Sequence, residues 1–166
     1  IAKDLLKFLP AGVTPPTAES LLATFEESLA VVPPPEVPGA RATLEAAIKE
    51  VPTSIVTSSN LTTVQLLLPA FELSEKDLLC ICAEDVQNSK PAPDCYLLAA
   101  DRLGVEPSRC IVFEDTVAGL SAAKAAGMFA VAISRDRTNY QRTGLSHIAD
   151  RVIRNFTELP EGFFRG

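Results

Sequence analysis

Between Ala40 and Ile153 the chain alternates short apolar or β-branched runs with segments of helical period, and no other feature restricts its fold as much. Ala40 to Glu50 reads as a helix, Thr53 to Thr57 as a strand, and Leu61 to Leu68 as a helix. Leu78 to Cys82 reads as a strand, Asp94 to Leu103 as a helix and Cys110 to Glu114 as a strand. Val117 to Ala126 continues as a helix, Phe129 to Ile133 as a strand, and Arg151 to Ile153 as a weak last strand. Gly104 and Gly127 close their helices at the position that favours a left-handed cap. Strands separated by helices predict a parallel sheet covered on both faces, an α/β fold of the Rossmann-like, three-layer kind.

Upstream the pattern differs. Ile1 to Val32 reads as helix, turn, helix, with Leu5, Leu6, Phe8 and Leu9 in one patch and Leu21, Leu22, Phe25 and Leu29 at helical spacing. Pro33-Pro34-Pro35, then Pro38 and Gly39, form a stiff linker. A domain boundary is expected there, separating residues 1–36 from 37–166.

With 166 residues the chain suffices for one domain with a core, or one domain plus a fragment of another. Its 47% hydrophobic and 22% charged residues are those of a globular protein. Fifteen basic against 21 acidic residues, with no basic cluster, speak against a nucleic-acid surface. A long apolar run and a signal-peptide pattern are both lacking, so no membrane partner and a cytoplasmic location are expected. Cys80, Cys82, Cys95 and Cys110 lie in or beside apolar segments, and Cys80 and Cys82 share a strand face. With His147 as the single histidine, free thiols fit better than zinc ligands and favour a reducing compartment. Neither a dinucleotide fingerprint nor a P-loop occurs. His147 reads as a surface residue, and Leu97, Leu98 and Leu103 read as core.

Three segments carry chemistry. Ile55-Val56-Thr57-Ser58-Ser59-Asn60 ends a strand in hydroxyls before a helix, which suits either an anion site or an ordinary helix cap. Ser89-Lys90-Pro91-Ala92-Pro93-Asp94 holds a lysine among stiffening prolines, where it presents a fixed charge to a phosphate or lies in solvent. Phe113-Glu114-Asp115-Thr116 ends a strand on two carboxylates, with Gly119 one turn later. Oxygen ligands at the carboxyl edge of a sheet suit a hard cation such as Mg²⁺. Asp115 also suits the cap of the next helix. Two neighbouring carboxylates repel each other unless a cation sits with them.

In this order, and in the wording of Ser89 to Asp94, Val112 to Leu120 and Ala122 to Met128, the chain resembles the haloacid dehalogenase superfamily of phosphatases and phosphomutases, in the branch of β-phosphoglucomutase and phosphoglycolate phosphatase. The resemblance implies Mg²⁺-dependent phosphoryl transfer from a small phosphorylated metabolite. It implies that Thr57 and the Ser58 backbone bind the phosphate and that Lys90 steadies the phosphoryl oxygens. Glu114 and Asp115 would hold the metal, and residues 1–36 would be part of a helical cap. The same family carries its nucleophile in an Asp-x-Asp motif closing an N-terminal strand, and no Asp-x-Asp occurs in these 166 residues. The expectation is therefore a core lacking its first strand, with an exposed edge in mid-sheet. A fragment is expected over a naturally shortened, non-catalytic binding module. Neither the oligomeric state nor the choice between phosphatase and mutase is written in these residues.

Overall fold

Helix ends fall where the local chemistry puts them. In the computed structural model, which describes residues 35–73, 78–134 and 147–165, helix α1 spans Ala40–Glu50 and α2 spans Leu61–Leu67. Helix α3 spans Asp94–Leu103 and α4 spans Val117–Ala125. The Asn60 side chain accepts from the Thr63 N–H and starts α2; Thr116 accepts from the Gly119 N–H and starts α4. Asp115, which the sequence suggested as the cap of α4, is thus not the cap. Gly104 ends α3 at φ 67°, a left-handed conformation that costs glycine little.

Five strands follow the expected order: β1 Ser54–Val56, β2 Leu79–Ile81, β3 Ile111–Glu114, β4 Phe129–Ile133 and β5 Arg151–Ile153. All pairings are parallel, with β1 beside β2 and β4 between β3 and β5. Side chains alternate across the strands and build three apolar clusters on the two faces. Ile81, Val112, Ala130 and Ala132 meet Tyr96, Ala99 and Ala100 of α3 and Leu120 and Ala123 of α4. On the other face Ile55, Cys80 and Cys82 pack with Val64 of α2, and Phe113, Val131 and Ile153 pack with Phe156 and Leu159. This is the predicted three-layer arrangement.

One reading of the core is corrected. Leu97 is 41% exposed, and Leu103 is only half-buried. Cys95, Tyr96, Ala99 and Ala100 turn inward instead, with Leu98 at their flank. A short helix buries one stripe, and here small residues let α3 approach the strands closely.

The sheet is interrupted. Thr57 N–H donates to Ile81 O, so Ile55 and Thr57 turn their backbone groups toward β2 and Ser54 and Val56 turn theirs away. Phe129 N–H donates to Cys110 O, so Val112 and Glu114 face β4, while Ile111 and Phe113 face outward. Among the described residues these outward N–H groups have no partner, and Ile111 is 45% exposed. Yet α3 packs on β1 and β2, α4 packs on β3 and β4, and the two helices touch over one continuous core. A two-stranded and a three-stranded parallel sheet therefore share a helical layer, and among the described residues β1 and β3 have no neighbour on their outer sides.

The chain divides at Pro34 into two units, and every described residue belongs to the second. The reading of residues 1–36 as a partial cap lies outside the described residues, apart from Pro35 and Glu36.

Candidate active site

Lys90 joins the two pieces of sheet at their carboxyl ends. Its Nζ donates to the Val56 carbonyl at 3.2 Å and to Glu114 Oε1 at 2.5 Å. Val56 O is one of the groups that β1 turns away from β2, so the lysine satisfies an acceptor that the interrupted sheet leaves open. It also lies over the Tyr96 ring, 4.9 Å from the centroid, which adds a cation–π attraction. Both side chains of the ion pair are about nine-tenths buried. Lys90 is therefore not a solvated loop lysine.

Glu114 is held as firmly. Its Oε1 also accepts from the Tyr96 hydroxyl at 2.8 Å. Its Oε2 accepts from the Asp115 N–H at 3.1 Å, the Thr116 hydroxyl at 3.1 Å and, more loosely, the Thr116 N–H at 3.4 Å. Burial pushes the Glu114 carboxyl up, but the hydrogen bond and charge of Lys90, with Tyr96 and Thr116, hold it below the ordinary carboxylate range. Burial, then the neighbouring Glu114 charge, pushes the Tyr96 hydroxyl far above its ordinary range, so it remains a donor. A Cβ on Gly119 would fall on the Glu114 carboxyl group, so only glycine leaves room for it.

Thr57 and Asp115 each stand one residue beyond the two ends of the lysine bridge. Thr57 Oγ1 accepts from the Ser59 N–H at 3.0 Å, which leaves its own proton free to donate. Ser58 is exposed, and its N–H has no partner among the described residues. Asp115 is exposed, and none of the hydrogen bonds of this site ends on its carboxylate. The structure thus brings Lys90 and Glu114 together, with Thr57, Ser58 and Asp115 beside them.

The adjacent acids do not fit a divalent cation as a pair. A carboxylate offers about four acceptor positions, and Glu114 spends them on protein donors. Asp115 alone offers free oxygens, and Mg²⁺ is commonly bound through one or two carboxylates with substrate phosphate and water. No cluster of three or more His, Cys, Asp or Glu suited to a metal occurs among the described residues.

Tyr96 and the packing role of Gly119 went unread in the sequence. A polar-tipped aromatic on the inner face of α3 and a glycine inside the first turn of α4, where it weakens a helix, were the signals available. None of the four cysteines forms a disulfide; Cys95 is buried, and Cys82 and Cys80 lie in one apolar cluster. Burial pushes the Cys95 and Cys110 thiols up, away from reactivity. His147 is exposed, as expected of a surface residue. No described helix is long and apolar enough to cross a membrane.

Residues 6–127 match the family model of the haloacid dehalogenase-like hydrolase. The chain is 42% identical over 80 residues to the fructose-1-phosphate phosphatase YqaB of Escherichia coli (strain K12), over 48% of this chain and 43% of that protein. It is 37% identical over 109 residues to the validoxylamine A 7'-phosphate phosphatase of Streptomyces hygroscopicus subsp. limoneus, over 66% of this chain and 49% of that protein. The chain thus spans about half the length of these curated relatives. The crystal structure of CbbY from Rhodobacter sphaeroides in complex with phosphate matches with a TM-score of 0.74 at 25% identity, over 95% of this chain and 72% of that one.

Proposed function

The chain belongs to the haloacid dehalogenase-like hydrolase family, and on that premise we propose that it forms the phosphate-handling core of a phosphohydrolase for a small phosphate ester. The observation that carries this reading is the buried Lys90 bridge, set between Thr57 and Asp115 at the carboxyl edge of the sheet. An ammonium has three donors, and two are occupied by Val56 and Glu114. The third, the Thr57 hydroxyl and the Ser58 N–H supply three donors for phosphoryl oxygens. Phosphoryl transfer asks little of a protein beyond such positioning and charge balance.

Mg²⁺, the cation of this family in general, would meet the Asp115 carboxylate and lend positive charge to the phosphate oxygens. Lys90 holds its place without it. The nucleophile is assigned to a carboxylate on a strand seated between β1 and β3, where both open edges would accept a parallel neighbour. The carboxylate oxygen attacks phosphorus as the ester P–O bond breaks and the alcohol leaves with a proton. Water then attacks the same phosphorus, releasing orthophosphate and restoring the carboxylate. A cytoplasmic location and a partial cap within residues 1–36 belong to the same proposal.

The absence of Asp-x-Asp from the sequence favours a second reading, a phosphate-binding module without turnover. Reading the transcript upstream of the Ile1 codon separates the two. An in-frame strand ending in Asp-x-Asp, and hydrolysis of an aryl phosphate by the polypeptide that includes it, are expected. A native start codon at that point would sink the hydrolase reading and leave the binding module.

A further inference from the structure

The segment that follows β1 is fastened to the turn after β2 at every second residue. The Thr57 N–H donates to Ile81 O at 2.9 Å, the Ala83 N–H donates to Ser59 O at 3.0 Å, and the Leu61 N–H donates to Glu84 Oε1 at 3.1 Å. The first two bonds prolong the parallel ladder of β1 and β2 beyond its last residue pair, Val56 and Ile81. The third is made by a side chain. The turn itself is braced: Asp85 Oδ2 accepts from the Cys82 N–H at 2.8 Å, and Asp85 Oδ1 pairs at 3.4 Å with Arg102 of α3. Ser58 lies between the fastened residues, and its N–H has no partner among the described residues. We infer that Glu84 is a positioning residue for the loop 57–60: it closes the fastening at Leu61, so that the Thr57 hydroxyl and the Ser58 N–H hold one geometry for a phosphoryl group.

Donors help an anion most when they are in place before it arrives. Residues 57–60 are Thr, Ser, Ser and Asn, so no apolar side chain anchors them and their geometry depends on hydrogen bonds at both ends. Glu84 is exposed and belongs to none of the apolar clusters, so packing does not account for where its carboxylate lies. The bond to Leu61 does. A carboxylate at the start of α2 also complements the helix dipole, which is the plainer role. That helix already has its cap, however, in the Asn60 side chain on the Thr63 N–H. Charge weighs the other way, because a carboxylate near a phosphate repels it. Glu84 is therefore useful to an anion site only through the backbone it holds. The inference rests on the proposed function for the identity of the anion but not for the fastening.

The test uses the 166-residue chain and inorganic phosphate, followed by NMR at the backbone amides. Glu84→Gln keeps an acceptor oxygen on an arm of the same length, and Glu84→Ala removes it. Without phosphate, Glu84→Ala is expected to speed amide exchange about tenfold at Ser59, Leu61 and Ala83, with Thr63 and Val64 unchanged. Glu84→Gln is expected to stay within about twofold of the parent at all five. Phosphate affinity is expected to fall about tenfold in Glu84→Ala and to persist in Glu84→Gln. Charge alone predicts the opposite sign, since both variants remove a negative charge. Faster exchange confined to Leu61, Thr63 and Val64 would reduce Glu84 to an end-cap of α2 and overturn the inference. Phosphate bound as tightly or more tightly by Glu84→Ala would overturn it too. If Glu84→Ala does not fold, Glu84→Asp, whose arm is one methylene shorter, takes its place in the same comparison. A parent chain that binds no phosphate would remove the phosphate reading of the loop, while exchange at Ser59 and Ala83 still decides the fastening.

Discussion

Two lysine–carboxylate pairs among the described residues meet at similar distances, and they are not the same kind of object. Lys90 and Glu114 meet at 2.5 Å with side chains 9% and 10% exposed; Lys124 and Asp150 meet at 2.7 Å with side chains 40% and 28% exposed. Water can replace either partner in the second pair. In the first, removing one partner strands the other in a low-dielectric interior. Asp150 also keeps the Ala130 N–H as a donor at 2.8 Å when its lysine goes, so it is never without a partner. Contact geometry alone does not rank the two pairs. Burial does.

The largest effect that can break this comparison is Lys90→Met or Glu114→Gln, each expected to cost about 3 kcal/mol by chemical denaturation. Costs below those at Lys124 would mean that the buried pair is no more than a surface contact. Gly119→Ala keeps every charge but drives Glu114 from its place. It is expected to cost about 2 kcal/mol by overpacking, and a neutral result would mean that the donors around Glu114 give way freely.

Acid titration sharpens the contrast. The folded Glu114 carboxyl lies below its ordinary value of 4.5, so the stability it contributes is complete above that pH and is lost as pH falls through the lower folded value. In chelator, the stability of Glu114→Gln is therefore expected to fall less steeply than that of the parent below pH 4.5. Parallel acid limbs would contradict the lowered carboxyl. The smallest effect is Lys124→Met, expected to cost less than about 1 kcal/mol and to fade with added salt.

Much of the fold was legible because its signals are local. The alternation of periods, the glycine at the end of α3 and the polar residues before α2 act over a few residues, and the described elements appear within a residue or two of their expected bounds. The core was less legible. Leu97 has the composition of a core residue yet lies on the outer side of α3, because Tyr96 and two alanines take the inner stripe. The site was legible as a set of residues and not as a set of contacts. Nothing near Glu114 in sequence announces Tyr96, or says that Gly119 is there to make room.

The sequence by itself determined the order of strands and helices and which side chains arrive at the carboxyl edge, because periodicity, caps and strand ends depend on near neighbours. Only the tertiary structure decided which of two adjacent acids is engaged inside and which is left to solvent. Successive residues of a strand face opposite ways, but the inner way is set by a lysine 24 residues earlier and a tyrosine 18 residues earlier. Those partners reach Glu114 only when α3 and its preceding loop pack against the sheet. From that packing follows the division of labour between two carboxylates that look alike in the chain.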